Sequence, residues 1–326
     1  MKHSTDMLIV GAGPVGLYAA YYAGFRGFRT VLCDTLPEIG GQISAMYPEK
    51  LIYDVAGFPE VRGRDLVDGL AAQAEVFKPV YVLGDQATEL TDAADGVRVT
   101  TASGATIDAK VLLITGGIGA FRPRPLPAAE QFTGTGIVFF VPRLDEHAGR
   151  DVIIVGGGDS AFDWALSLQP IANSVTLVHR REAFRAHAAT VDRVRELGVR
   201  LITSSEVSAI EGDAHVTGVR ITHKTTGEET LAPADTVVAA LGFIAAIGPL
   251  AQWGLELEKR HIVVDTTMAT NRARVYAAGD IVTYRGKVPL ISVGFGEAAL
   301  AVNNAAPLID PTHGVFPGHS SGDSAS

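Results

Sequence analysis

The sequence has a single cysteine, Cys33, so an intramolecular disulfide and a Cys-x-x-Cys redox pair are both impossible. Its 27 Lys and Arg are outnumbered by 36 Asp and Glu, which argues against a general nucleic-acid-binding surface. No apolar run reaches the roughly 18 residues that a membrane-spanning helix needs. The first residues lack the layout of a signal peptide. We therefore expect a cytoplasmic protein that does not enter a membrane.

What the sequence has in abundance is apolar residues and glycine. Hydrophobic residues make up 47% of the 326 positions, enough to build the cores of about two domains. The 36 glycines show no collagen-like period and cluster after apolar runs, where they allow the backbone to approach a ligand closely. The nine histidines show no metal-ligand spacing, so no metal site is predicted.

Two segments repeat one pattern, an apolar run followed by a glycine motif and a helical pattern. The first runs from residues 7–10 into Gly11, Gly13, Pro14 and Gly16, and the second from residues 151–155 into Gly156, Gly158, Asp159 and Ser160. A second apolar run follows each, at residues 30–33 and 175–178. This predicts two βαβ units with parallel sheets, in which each glycine motif and helix N-terminus binds the pyrophosphate of a dinucleotide.

The two copies differ at the end of their second strand. Asp34 stands there in the first copy, where a carboxylate accepts hydrogen bonds from ribose hydroxyls. The second copy has His179, Arg180 and Arg181, with Arg185 shortly after, and basic residues suit a 2′-phosphate. The first site should therefore take FAD or NAD, and the second NADPH.

The chain crosses between the two domains at two predicted points. A proline-rich stretch at residues 121–127 forms one, and the second lies near residues 241–243, after a predicted strand at 236–240. We expect a discontinuous FAD-binding domain over residues 1–120 and 243–326 and an NADP(H)-binding domain over 121–242. A final helix is predicted over residues 296–306, with its N-terminus aimed at the flavin.

Several motifs together resemble those of the thioredoxin-reductase-like flavoproteins. They are GGQ at residues 40–42, GGGDSA at 156–161 and AGD at 278–280. The run YPEKLIYDVAGFP at 47–59, HRR at 179–181 and GFGEAA at 294–299 are similar to those of type 2 ferredoxin–NADP reductases within that superfamily. The resemblance implies an α/β fold with two Rossmann-like nucleotide-binding domains of the thioredoxin-reductase and glutathione-reductase type.

The resemblance also implies site residues. Flavin contacts are expected from Asp34, Gln42, Tyr47, Ala87, Phe121, Asp280 and Ser321. Tyr47 would lie against one face of the isoalloxazine ring, His319 would cover the other, and Ala87 would act through its backbone. No side chain is expected to act as a nucleophile or as an acid or base, because a flavin supplies the redox chemistry.

The implied activity is electron exchange between NADPH and ferredoxin or flavodoxin through FAD, in a homodimer. Hydride would pass to flavin N5, and the electrons would leave singly, because the chain has no dithiol to receive them. Lys50, Arg122, Arg124 and Arg143 are candidates for a patch that docks an acidic partner. A flavin monooxygenase and a flavin-bound redox sensor without turnover remain alternatives.

Overall fold

The computed structural model describes residues 1–316 and 318, apart from the side chains of Ala120 and Phe121. Its contacts divide the chain into two compact units. Unit 1 comprises residues 1–45, 51–120 and 245 onward, and unit 2 comprises residues 46–50 and 121–244. Each unit has its own sheet and its own core.

The strands are β1 (Lys2–Val10), β2 (Thr30–Asp34), β3 (Leu51–Ile52), β4 (Val61–Arg62), β5 (Val80–Leu83), β6 (Ala87–Ala93), β7 (Gly96–Thr101), β8 (Thr106–Ile114), β9 (Ala120–Pro123), β10 (Ile137–Val138), β11 (Asp151–Val155), β12 (Ser174–Val178), β13 (Arg200–Ile202), β14 (Ser205–Glu211), β15 (Gly218–His223), β16 (Glu229–Pro233), β17 (Thr236–Ala239), β18 (Phe243–Ala246), β19 (Leu257–Glu258), β20 (His261–Val263), β21 (Val275–Ala277) and β22 (Val282–Thr283). The helices are α1 (Pro14–Phe25), α2 (Gln42–Met46), α3 (Gly63–Glu75), α4 (Asp159–Leu168), α5 (Ala188–Glu196) and α6 (Ile291–Ile309). Short 3-10 helices lie at Pro127–Ala129, Asp145–His147 and Gly248–Gln252.

The main sheet of unit 1 has the strand order β5-β2-β1-β8-β7-β6, and β21 also pairs with β8. Strand β1 is parallel to both β2 and β8, and the hairpin of β6 and β7 continues the sheet in antiparallel fashion. The chain leaves β1 toward β2 on one side and reaches β8 on the other. This reversal of strand order forms the crevice at the carboxyl end of β1 where open α/β sheets bind their ligands.

The central strands of unit 1 are buried on both faces. Met7, Leu8 and Ile9 of β1 have no exposed surface, and neither have residues 111–114 of β8. Continuous apolar runs of this kind are typical of parallel strands that are covered on both faces. Helices α1, α3 and α6 pack together in this unit.

Unit 2 contains a smaller parallel sheet with the order β10-β17-β11-β12-β13. A three-stranded antiparallel sheet, β14-β15-β16, packs beside it. Two buried clusters make up the core. One surrounds Phe162 and Trp164 of α4, and the other lies between the two sheets around Val219 and Val237.

Both predicted βαβ units are confirmed, because β1-α1-β2 and β11-α4-β12 form parallel pairs joined by a helix. The start of the last helix was predicted wrongly. Helix α6 begins at Ile291, directly after Leu290, which has extended backbone angles, and Gly296 lies inside it. Glycine disfavours a helix, but the packing of α6 on neighbouring elements of unit 1 outweighs that preference.

The chain passes between the units in β9 and β18, and these two strands pair with each other. The proline-rich stretch predicted as a crossing therefore begins as a short strand. Residues 46–50 differ from the expected division, because their contacts place them in unit 2. Tyr47 packs against the core cluster of that unit, and Lys50 Nζ lies 2.6 Å from the carboxylate of Asp163.

Cys33 lies in β2 with 1% of its surface exposed, as expected for a small core residue. Its thiol donates to the carbonyl oxygen of Asp85 at 3.3 Å. Burial, together with the nearby carboxylates of Asp85 and Asp34, raises the pKa of Cys33 to about 12. The thiol is therefore protonated and unreactive at neutral pH. Within the described residues, no helix is long and apolar enough to cross a membrane.

We expect Cys33→Ala to keep most of the NADPH-dependent turnover and to lower the free energy of unfolding by about 1–2 kcal/mol, the cost of a small cavity. Urea unfolding and steady-state kinetics measure the two effects. In the wild type, the native protein should resist alkylation at neutral pH and react once unfolded. A variant that folds and holds its flavin but has lost turnover would contradict a structural role for Cys33.

Candidate functional site

The first glycine motif forms a tight loop between β1 and α1. Gly11 has φ +116°, and a Cβ built on it would lie 2.4 Å from the carbonyl oxygen of Thr115. A Cβ on Gly16 would lie 1.9 Å from the carbonyl oxygen of Gly11. Both positions therefore require glycine, for the turn and for the close packing of helix on loop, as the dinucleotide fingerprint predicts.

Helix α1 begins at Pro14. Its N-cap residue is Gly13, which has no side chain to cap the helix. A proline at the first helical position has no N–H to satisfy, while the following N–H groups point out of the helix end. A Cβ on Gly41 would lie only 3.0 Å from Cα of Gly13, so two backbones meet at this point. The result is a cradle of backbone donors suited to a pyrophosphate.

Asp34 lies at the end of β2 beside this loop. Its carboxylate accepts the N–H of Ala12 at 2.6 Å and the N–H of Leu36 at 2.8 Å. Burial raises the pKa of Asp34, and these backbone donors oppose that rise. The carboxylate thus ties the strand end to the glycine loop, a role that its position in the sequence did not reveal.

Three further predicted flavin positions lie in unit 1. Gln42 begins α2, and its side-chain nitrogen would lie 2.9 Å from a Cβ on Gly117, just beyond β8. Ala87 begins β6, two residues after Asp85, whose N–H donates to the carbonyl oxygen of Asp34. Asp280 follows β21, which pairs with the carboxyl-terminal part of β8.

Asp280 is partly buried, and burial raises the pKa of its carboxyl group. The charge of Lys287 opposes this rise, and that of Glu297 adds to it. The preceding residue, Gly279, has φ +85°. The turn thus places a carboxylate at the same sheet end as the first glycine loop, where it can accept bonds from hydroxyl groups.

Two polar residues that support this site were missed. The Thr115 hydroxyl is buried and donates to the carbonyl oxygen of Gly11 at 2.7 Å, which fixes the glycine loop to the end of β8. Glu297 is a buried carboxylate of α6 that accepts the N–H of Gly279 at 2.7 Å. The Glu297 position was visible in the GFGEAA motif, but its partners come from other elements and no local pattern reveals them.

The second glycine loop lies between β11 and α4 in unit 2. A Cβ on Gly156 would lie 2.5 Å from the carbonyl oxygen of Ala240, and one on Gly157 would lie 2.3 Å from the His179 ring. His179 is 8% exposed, and burial lowers its pKa, so the imidazole is neutral at neutral pH. His179 was grouped with Arg180 and Arg181 as a basic residue for a 2′-phosphate. The structure corrects this, because the uncharged ring packs against the glycine loop.

Unlike His179, the arginines that follow β12 lie on the surface. Arg180, Arg181 and Arg185 are all exposed, as a site for a 2′-phosphate requires. The N–H of Arg185 donates to the carbonyl oxygen of Gly157 at 2.8 Å, so the basic turn is attached to the glycine loop.

Asp159 and Ser160 begin α4 and are exposed at its N-terminal end, next to Gly158. The Asp159 carboxylate accepts the N–H of His187 at 3.1 Å. Asp159 thereby attaches the far end of the basic turn to the start of α4.

Four predicted flavin contacts are not assembled by the described residues. Tyr47 packs in unit 2, so its contact with an isoalloxazine ring stays a prediction. The backbone of Phe121 belongs to β9, but its side chain is not described. His319 and Ser321 lie outside the described residues.

The geometry of unit 1 fits FAD, because a backbone cradle for the pyrophosphate lies at the same sheet end as two carboxylates, Asp34 and Asp280. The geometry of unit 2 fits NADPH, because a second glycine loop carries an attached turn with three exposed arginines. Within residues 1–316, no group of three or more His, Cys, Asp or Glu has the arrangement of a metal site.

Comparison with known proteins agrees with this geometry. The sequence pattern of the family described as "Pyridine nucleotide-disulphide oxidoreductase" matches residues 5–304. The chain belongs to this family. It nevertheless has one cysteine, so the disulphide chemistry in the family's name is not available to it.

Curated relatives extend over nearly the whole chain. It is 60% identical over 317 residues to a protein of Frankia casuarinae named ferredoxin–NADP reductase, covering 97% of this chain and 99% of that one. A protein of Thermus thermophilus with the same name is 50% identical over 323 residues, covering 97% and 96%. The resemblance to ferredoxin–NADP reductases is confirmed.

The fold is similar to that of solved thioredoxin reductases. That of T. acidophilum superimposes with a TM-score of 0.77 at 28% identity, covering 95% of this chain and 99% of that one. That of Lactococcus lactis gives a TM-score of 0.75 at 25% identity, covering 94% and 99%. The expected pair of Rossmann-like domains of this type is confirmed.

Helix α6 offers a matched pair of substitutions. A Cβ on Gly294 would lie 2.5 Å from Cγ2 of Val15 and 3.4 Å from Cα of Gly279, whereas one on Gly296 would meet nothing within 4 Å. We expect Gly294→Ala to destabilise the protein by about 1–3 kcal/mol through overpacking and to lower its FAD content. Gly296→Ala should stabilise it by up to about 1 kcal/mol through helix propensity. Thermal unfolding and flavin absorbance of both variants decide this, and shifts of the same sign would contradict the packing described.

Proposed function

We propose that the protein is an FAD-dependent ferredoxin–NADP reductase that exchanges electrons between NADPH and ferredoxin or flavodoxin. The observation that carries this proposal is a pair of nucleotide sites with opposite strand-end chemistry in a chain without a dithiol. The first strand end presents Asp34 and the second presents Arg180 and Arg181. Thioredoxin reductases share the fold but need a redox pair of cysteines, and Cys33 is single and buried.

In unit 1, the protein's part is to bind and orient the flavin. The N–H groups at the start of α1 would hold the pyrophosphate of FAD, and Asp34 would accept bonds from the ribose hydroxyls. Asp280 would accept bonds from the ribityl hydroxyls. Held by these residues, FAD would supply the redox chemistry, with hydride acceptance from NADPH at N5 and release of electrons one at a time to a carrier. When both electrons have left, the proton of the transferred hydride would pass to solvent, and no described side chain is assigned to that transfer.

In unit 2, the protein's part is to select the phosphorylated nucleotide. The second glycine loop would hold the pyrophosphate, and Arg180, Arg181 and Arg185 would pair with the 2′-phosphate. Because backbone N–H groups of the turn are bonded to Gly157 and Asp159, the backbone that carries the three arginines is held next to the loop before the nucleotide arrives. Preorganisation of this kind reduces the entropy lost on binding.

The four basic residues considered for partner docking are not equivalent. Lys50 is paired with Asp163, and Arg143 is paired with Asp145 and Glu146, so neighbouring carboxylates offset their charges. Arg122 lies in β9 and Arg124 directly follows that strand, and both side chains are exposed. We propose that these two contribute more than Lys50 and Arg143 to attracting an acidic ferredoxin.

Turnover assays with the purified protein test the activity. NADPH-dependent reduction of cytochrome c should be slow alone and should accelerate on addition of ferredoxin. Oxygen uptake that a small substrate stimulates would instead indicate a flavin monooxygenase. A flavin spectrum without turnover in either assay would indicate a redox sensor. Homodimer formation, also implied by the resemblance, is measured by sedimentation of the same preparation.

The double variant Arg180→Ala/Arg181→Ala tests the nucleotide preference. Each charge-assisted contact with a 2′-phosphate is worth about 1.5–3 kcal/mol, so kcat/KM for NADPH should fall by at least about 10-fold. The value for NADH should change little, because NADH lacks that phosphate, and the FAD content should stay constant. Arg220→Ala is the control, since Arg220 is a half-buried arginine of unit 2 that pairs with Glu211 and Glu229. A preference for NADPH over NADH that stays within about threefold of wild type would rule out this site.

A further inference from the structure

A buried ion pair lies beside the Asp280 turn in unit 1. Lys287 and Glu297 form it, with only 10% and 3% of their side chains exposed. Lys287 belongs to the segment between β22 and α6, and Glu297 belongs to α6. Replacing a buried ion pair by apolar residues is often neutral or stabilising, so general stability does not account for this one.

The carboxylate of Glu297 has three donors. Its Oε2 accepts the N–H of Gly279 at 2.7 Å, and its Oε1 accepts the hydroxyl of Tyr284 at 2.6 Å as well as the ammonium of Lys287. Burial and the Glu297 carboxylate raise the pKa of Tyr284 to about 12, so its hydroxyl stays protonated as a donor. Both carboxylate oxygens are therefore engaged, one by the turn and one by the two side chains.

The Gly279 turn is also held by close packing. A Cβ on Gly279 would lie 3.3 Å from Cγ2 of Val15, in the helix that begins at the first glycine loop. A Cβ on Gly294 would lie 3.4 Å from Cα of Gly279. The turn is thus enclosed between α1 and α6, and the Gly279 N–H donates its hydrogen bond to Glu297.

We propose that Glu297 is a positioning residue for FAD, holding the Gly279–Asp280 turn through the Gly279 N–H while Lys287 and Tyr284 hold the carboxylate in place. The inference rests on the proposed function, specifically on Asp280 as the acceptor of the ribityl hydroxyls. Asp280 then meets the flavin from a turn whose conformation is set before binding. Such preorganisation is what a binding group on a short turn requires.

The Lys287–Glu297 pair also affects the pKa of Asp280. In the part of the chain that the structure describes, three charged or titratable groups act on its carboxylate: Lys287, Glu297 and His261 of β20. Glu297 raises the pKa of Asp280, and Lys287 and His261 lower it, while burial is the largest effect and raises it. Ionised Asp280 accepts hydrogen bonds from hydroxyls better than the protonated acid does. FAD affinity should therefore fall as the pH falls through the pKa of Asp280.

The test compares Glu297→Gln, Lys287→Met and the double variant with wild type. Each holoprotein is diluted and the fluorescence of released FAD is measured between about pH 8 and about pH 5, which gives the affinity at each pH. At about pH 8, Glu297→Gln should bind FAD about 10- to 100-fold more weakly, because one oxygen cannot serve all three donors. Gly296→Ala, whose Cβ meets no neighbour, is the control on the same helix.

The pH profile separates positioning from a merely structural role. Glu297→Gln removes a negative neighbour, which lowers the pKa of Asp280 and moves the acid-side loss of affinity to lower pH. Lys287→Met removes a positive neighbour and should move that loss to higher pH. The double variant should return the profile toward that of wild type. If Glu297→Gln does not accumulate as folded protein, the test relies on Lys287→Met, in which the loss of FAD affinity should occur at a higher pH than in wild type.

One result would overturn the proposal, and a further variant shows which assignment has failed. If FAD affinity in all three variants stays within about threefold of wild type with an unchanged pH profile, Glu297 does not position the turn. Asp280→Asn distinguishes this failure from that of the proposed site. When Asp280→Asn weakens FAD binding and Glu297→Gln does not, only the positioning role is wrong. When neither variant weakens it, Asp280 itself does not contact the flavin, and both assignments fail.

Discussion

The close approach of backbone segments at the carboxyl ends of β1 and β8 is the constraint on which unit 1 depends. Gly11 meets Thr115 there and Gly16 meets Gly11, at distances that leave no space for a Cβ, and Gly41 meets Gly13 with little space to spare. The Thr115 hydroxyl and the Asp34 carboxylate each bond to this loop. Because the loop is fixed by backbone contact, the N-terminus of α1 has a defined direction, and its backbone donors have the arrangement that a pyrophosphate would require.

Unit 1 and unit 2 both contain a strand–loop–helix motif, but different side chains hold the glycine loop in place. In unit 1, a carboxylate at the end of β2 holds the glycine loop. In unit 2, the imidazole of His179 packs against Gly157, and the turn that follows bonds back to the same loop. The strand end of unit 1 thus presents carboxylate oxygen atoms, whereas the strand end of unit 2 exposes guanidinium groups. Two nucleotides of different charge can therefore be distinguished by one type of fold.

The chain shares its fold with thioredoxin reductases but cannot use their chemistry. Its only sulfur nucleophile lies in a central strand, protonated and almost fully buried. Electrons taken from NADPH must therefore leave from the flavin itself to a separate carrier. This agrees with the names of relatives that are about 60% identical over the full length.

Both βαβ units, the glycine loops, the strand-end residues and the lack of a dithiol could be predicted from the sequence, because these depend on local pattern and composition. The start of α6 at Ile291, the burial of His179 and the packing of residues 46–50 in unit 2 depend on the folded chain. It alone brought Glu297 to the Gly279 turn. Each of these outcomes depends on partners distant in sequence, and burial against such partners can outweigh the local preferences of glycine, histidine and aromatic residues.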